Sequence, residues 1–164
     1  MKGNLKKILS AILVTAMSVG MCVSASAATL RETGVRFRMI DTNLVMNAYT
    51  WGTPASGTKV TLYTSDGSAS QRFYTSNHKL YNQLTDAVVV GKSSTTNMAV
   101  FVPKYTSDTY CYFDVVPFSD LGWKFQLVHP NKELGAPANA RSGTQLQYYP
   151  LALDDDNNVW IMNN

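Results

Sequence analysis

The side chains in this sequence that could catalyse a reaction or hold a metal stand in unpromising company. His78 and His129 sit in Ser76-Asn77-His78 and His129-Pro130-Asn131. These are polar turn contexts with no Ser or Cys nucleophile motif beside them, so both are expected as solvated turn residues. Gly-x-Ser-x-Gly, His-Glu-x-x-His and a Gly-rich phosphate loop do not occur. The one acidic run, Asp154-Asp155-Asp156, lacks the spaced oxygen ligands and the Gly of a calcium loop, and it reads as a solvated hairpin tip. Glycoside hydrolysis needs a pair of carboxylates, and the dispersed acidic residues offer no candidate pair. The chain is therefore expected not to be an enzyme, to have no catalytic residues and no metal site, and to need no cofactor. What it has in quantity is aromatic rings: 9 Tyr, 6 Phe and 3 Trp. An aromatic face presents a flat apolar surface with a polar rim, suited to a pyranose or to a partner protein.

The N-terminus reads as an export signal. Lys2, Lys6 and Lys7 form a positive region, residues 8–23 are almost uncharged and mostly apolar, and Ala25-Ser26-Ala27 is a small-x-small cleavage site. The apolar run is shorter than the roughly 20 residues a spanning helix needs. Residues 1–27 are thus expected to be a signal peptide and residues 28–164 the mature, secreted domain, outside the membrane after cleavage. Removing 27 of the 164 residues leaves 137, enough for one domain. All 11 acidic residues stay and three of the 14 basic ones leave, so 11 face 11 and the mature net charge is zero. That balance gives no electrostatic footprint for nucleic acid. Cys22 leaves with the signal, so Cys111 has no partner for an intramolecular disulfide. Flanked by Tyr110, Tyr112 and Phe113, it is expected to be buried.

The remaining chain must position these aromatics, and it reads as strands throughout. Runs such as Val35-Arg36-Phe37-Arg38-Met39-Ile40, Asn43-Leu44-Val45-Met46-Asn47, Lys59-Val60-Thr61-Leu62-Tyr63 and Ala87-Val88-Val89-Val90 are short and rich in β-formers, and turn residues separate them. Internal repetition sets their number. Tyr63-Thr64-Ser65-Asp66 recurs as Tyr105-Thr106-Ser107-Asp108. Aligning on it makes Phe37, Tyr81 and Phe125 equivalent, at intervals of 44 and 44 residues. It also aligns Asn47 with Gly91 and Gly135, and Tyr63 with Tyr105 and Tyr149. Phe73, Phe113 and Trp160 close the units and are expected in the core, and the extra length of the first unit falls in residues 49–54. Three units of about 42 residues, at about 35–78, 79–122 and 123–164, with four short strands each, predict an all-β fold, a β-trefoil of 12 strands. A propeller needs at least four blades.

In its closing motifs, Gln71-Arg72-Phe73 and Asn158-Val159-Trp160, the sequence resembles the ricin-B-like β-trefoil lectins, whose units end in Gln-x-Trp; the middle unit has Cys111-Tyr112-Phe113 instead. The stretches Ser56-Gly57…Thr61-Leu62-Tyr63 and Ser142-Gly143…Gln147-Tyr148-Tyr149 extend the resemblance. It implies sugar sites built within one unit from an Asp after the second strand, an aromatic ending the third, and amides in the closing motif. Transferred to this chain, the first unit offers Asn47, in place of the Asp, with Thr61, Tyr63, Ser70 and Gln71. Tyr49 and Trp51 lie in the adjacent loop. The third unit offers Gln147, Tyr149, Asn157 and Asn158, with Gly135 at the Asp position. The middle unit, with Gly91 and Cys111, is expected to be inactive. The same tyrosines would recur if they served only packing.

The resemblance therefore implies a secreted, non-catalytic carbohydrate-binding module whose partners are glycans, cell-surface glycans among them. The alternative is a secreted β-trefoil that binds another secreted protein, as an inhibitor or toxin-complex subunit, through the Tyr-rich segments 104–113 and 49–51.

Overall fold

The computed structural model describes residues 34–118, 120–128, 131–151 and 158–163. The expected signal peptide, His129, Asp154-Asp155-Asp156 and Asn157 lie outside the described residues. Twelve strands follow one another: β1 (Arg36–Met39), β2 (Leu44–Ala48), β3 (Val60–Thr64), β4 (Phe73–Ser76), β5 (Lys79–Asn82), β6 (Val88–Lys92), β7 (Ala99–Pro103), β8 (Phe113–Phe118), β9 (Gly122–Leu127), β10 (Lys132–Gly135), β11 (Gln147–Pro150) and β12 (Trp160–Asn163). Single 3-10 turns, Ala69–Gln71 and Asp108–Tyr110, precede β4 and β8. Among the described residues no helix is long and apolar enough to cross a membrane.

The pairing is threefold. Strand pairs β1–β12, β4–β5 and β8–β9 are antiparallel ladders, and so are the hairpins β2–β3, β6–β7 and β10–β11. Matching links close the barrel: Val35 bridges Phe73, the Phe113 amide donates to the His78 carbonyl, and Trp123 pairs with Trp160. Three more join the hairpins into a cap: Lys59 with Val100, Thr61 with Gln145, and Met98 with Gln147. Closure of this kind leaves few free strand edges to pair with other chains. The chain is a β-trefoil.

The core lies on the threefold axis. Phe73, Phe113 and Trp160 are all buried. Phe125 meets Phe37 edge to face at 4.8 Å, Phe113 at 6.5 Å and Trp160 at 6.3 Å, geometries favoured by the ring quadrupole. Cys111 is buried, its Sγ 3.6 Å from the Thr106 carbonyl. His78 is an exposed turn residue, stacked on Tyr112 with ring centroids 4.4 Å apart.

Two of the equivalences drawn from the sequence are corrected. In β4–β5, Leu80 faces Thr75 as Phe37 faces Met162 and Phe125 faces Val115. Leu80, not Tyr81, is therefore the partner of Phe37 and Phe125, and it is buried. Side chains alternate along a strand, so a slip of one residue moves a side chain to the other face; Tyr81 lies there, stacked on Tyr74 at 5.1 Å. The cap bridges likewise align Thr61 with Val100 and Gln147, which makes Val102 the counterpart of Tyr63 and Tyr149. Tyr105 stands beyond the end of β7 and is 87% exposed. The Tyr-Thr-Ser-Asp repeat is thus a likeness of composition, out of register with the strands.

Candidate functional site

A groove of about 610 Å³ opens on the first unit, lined by residues from β2, β3 and the segments after them. Its floor begins at Asn47, near the end of β2, where the pairing with Thr61 of β3 turns both side chains the same way. Asn47 Nδ2 donates to Thr61 Oγ1 at 3.3 Å, and its Oδ1 accepts from Ser70 Oγ at 3.0 Å. Ser70 Oγ is 2.7 Å from Ser68 Oγ, and the Ser68 amide donates to Asp66 Oδ1 at 2.8 Å. The floor is a chain of polar side chains, Asn47–Ser70–Ser68–Asp66, with their positions fixed by one another.

Two buried amides hold the segment that carries this floor. Gln71 Nε2 donates to the Thr64 carbonyl and its Oε1 accepts from the Asp66 amide, both at 2.9 Å. Asn82 Nδ2 reaches the carbonyls of Ala69, Ser70 and Arg72, at 3.4, 2.9 and 3.0 Å. Unpaired polar groups are costly to bury, so these amides lock residues 64–72 into one conformation. Gln71 thus lies beneath the groove with both ends of its amide engaged, and it does not line the wall.

The walls are aromatic. Tyr63, at the end of β3, is 41% exposed, and Trp51, on the long β2–β3 connection, is fully exposed; Tyr49 stands between them in the lining. Leu84 of the second unit and Gly143 of the third complete the rim. The Gly143 amide donates to the Leu62 carbonyl and the Leu62 amide to that of Thr144, which seats the third unit's loop against β3. Among the described residues, Asp66 is the one carboxylate in the lining. Hydrogen bonds from the Ser68 side chain and backbone hold its pKa below the usual aspartate value, so it is ionised at neutral pH. The sequence reading did not select it; the signal was the Asp66-Gly67 turn with Ser68 behind it.

The third unit is built differently. Gly135 has no side chain, and the Asn158 side chain occupies the space where one would stand. Asn158 is buried and its Nδ2 donates to Glu133 Oε1 at 2.7 Å. Tyr149 is half-buried, and that burial raises its phenol pKa. Gln147 pairs with Gly135 in the hairpin. In the second unit a side chain at Gly91 would run into Val102 and Cys111. Of the residues selected from the sequence, Asn47 and Tyr63 share the groove, Gln71 supports it, and Asn158 is packed into the third unit. Among the described residues no cluster of three or more His, Cys, Asp or Glu side chains is placed to hold a metal.

No known family and no curated protein matches the sequence. Solved structures do match. The designed threefold-symmetric protein ThreeFoil aligns with a TM-score of 0.68 at 14% identity, over 79% of this chain and 97% of that one. The C-terminal half of the earthworm R-type lectin, solved in complex with GalNAc, gives 0.65 at 12% identity, over 79% and 97%. The agglutinin of Rhizoctonia solani gives 0.61 at 23% identity, over 79% and 94%. A mosquitocidal holotoxin gives 0.67 at 18% identity, and there the alignment spans 16% of the larger chain. Identities this low speak for architecture alone, and the architecture that the strand register and these alignments share is the β-trefoil.

Proposed function

We propose that this chain is a secreted, non-catalytic carbohydrate-binding module whose glycan sits in the first-unit groove. The observation that carries this reading is the pairing of aromatic walls, Tyr49, Trp51 and Tyr63, with a fixed polar floor that ends in the Asp66 carboxylate. A sugar needs both parts: a ring face for its C–H surface and preset hydrogen-bond partners to replace water around its hydroxyls. An ionised acceptor makes the stronger hydrogen bond, and Asp66 supplies it where Asn47 does not. The GalNAc in the earthworm lectin complex makes a galactose-type pyranose the first ligand to try. A glycan array probed with the purified protein, followed by titration of the best ligand into Tyr63→Ala, tests the reading. Specific binding that Tyr63→Ala weakens supports it; an array without binding overturns it.

The protein-binding alternative draws on one observation, the wide exposure of Trp51 and Tyr105 on separate units, since exposed aromatics serve as interface anchors. Capture of a secreted protein that depends on both residues would favour it.

A further inference from the structure

Lys124, Glu133 and Asn158 are buried together in the third unit. They come from β9, from β10 and from the residue two before Trp160. Glu133 pairs with Gln126, which places Lys124 and Glu133 on one face of the β9–β10 ladder. One carboxylate touches both neighbours: Lys124 Nζ is 3.4 Å from Glu133 Oε2, and Asn158 Nδ2 is 2.7 Å from Glu133 Oε1. Among the described residues, Asn158 Oδ1 has no hydrogen-bond partner. The Phe118 ring, 4.3 Å from Nζ, helps to shut out water. A buried ion pair is a poor source of stability, because desolvation offsets the attraction. The trio also has no repeat: the positions of Glu133 and Asn158 hold Val45 and Gln71 in the first unit and Val89 and Cys111 in the second. A scaffold device would be expected to recur with the strands; this one does not.

We propose that Lys124 and Asn158 join through a side-chain amide bond, with Glu133 as the proton carrier. In the first step Glu133 takes a proton from the Lys124 ammonium, which leaves the amine as the nucleophile. The Nζ lone pair attacks Asn158 Cγ, and the carbonyl electron pair moves to Oδ1. Glu133 takes a proton from Nζ and delivers protons to Nδ2. The Cγ–Nδ2 bond breaks with its electron pair on nitrogen, the carbonyl re-forms, and ammonium leaves while Glu133 returns to the carboxylate. No oxidant or reductant is consumed. Holding the amine and the amide against one carboxylate turns a sluggish bimolecular reaction into an intramolecular one. The product ties β9 to the segment that enters β12, and so closes the third unit covalently.

The intact mass of the purified protein tests this directly. With its N-terminus established, the chain should weigh about 17 Da less than its sequence, the loss of one ammonia that acylation of the lysine requires. Trypsin should then fail to cut after Lys124 and release a branched peptide joining Lys124 to Asn158. Lys124→Arg, which keeps the charge without the nucleophile, and Glu133→Gln, which keeps the shape without the proton carrier, should both restore the full mass. Full mass in the unaltered protein overturns the proposal. So does a 17 Da deficit with Lys124 still cleavable, as cyclisation of Asn158 onto its own backbone would give.

Discussion

The first and third units carry the same four strands in the same register, yet they differ where the closing segment meets the second strand: Asn47 and a groove in one, Gly135 with Asn158 laid over it in the other. The difference starts at one position. In the first unit Asn47 projects from β2 and accepts a hydrogen bond from Ser70, which ties the closing segment to its side chain. In the third unit Gly135 projects nothing, and Asn158 lies down over the strand onto Glu133. The second unit follows the third, with Gly91 against Val102 and Cys111. In a threefold scaffold, the units differ here by whether one strand position carries a side chain for the closing segment to bond to.

The strongest way to break this comparison is to give the third unit the first unit's residue. Gly135→Asn puts a side chain where Asn158 already sits, and overpacking of that kind should cost about 3 kcal/mol in a urea unfolding experiment. Unchanged stability would mean that Asn158 swings aside easily and that the two units differ less than their packing suggests. The next largest effect is on binding. Tyr63→Ala should weaken the glycan about tenfold, or ~1.4 kcal/mol, in isothermal titration, while Tyr149→Ala, its counterpart in the third unit, should leave affinity unchanged; equal losses would erase the distinction. Asp66→Asn should lower affinity several-fold, the difference between a charge-assisted and a neutral acceptor being about 1 kcal/mol. The sign of the pH dependence follows from the lowered pKa of Asp66. Its interactions are complete above the ordinary aspartate pKa and are lost only as the pH falls through the lowered value. Binding should hold steady from neutral pH to about pH 4 and decline below it; a decline that begins near pH 6 would take Asp66 out of the site. The smallest effect is expected at Tyr105→Ala, which should change neither affinity nor melting temperature, because Tyr105 lies outside the strands and outside the groove.

The sequence carried the architecture because strand formation, turn chemistry and the closing aromatics are local signals. The runs around Phe37, Val45 and Leu62 became β1, β2 and β3, and Phe73, Phe113 and Trp160 all reached the core. Register was harder. In β5 the core position is held by Leu80, and the neighbouring Tyr81 imitates the aromatic of the other units. Tyr105 imitates Tyr63 in the same way, with Val102 in the true position. The site was legible in part. Asn47 and Tyr63 follow from the strand pattern, whereas Asp66 owes its place to a turn that Gln71 locks from below. The packing of Asn158 over β10 was not legible at all, since Asn158 fills a space that the missing Gly135 side chain leaves far away in sequence.

Asn47 also bears on the valence of the proposed module. With the first-unit groove as its working site, the proposed module would grip one sugar there at a time. A proposed module that works through this groove alone would coat a glycan surface without bridging two cells, so agglutination would require several chains to be joined. Its avidity would then come from whatever multiplies the chain rather than from the three lobes within it.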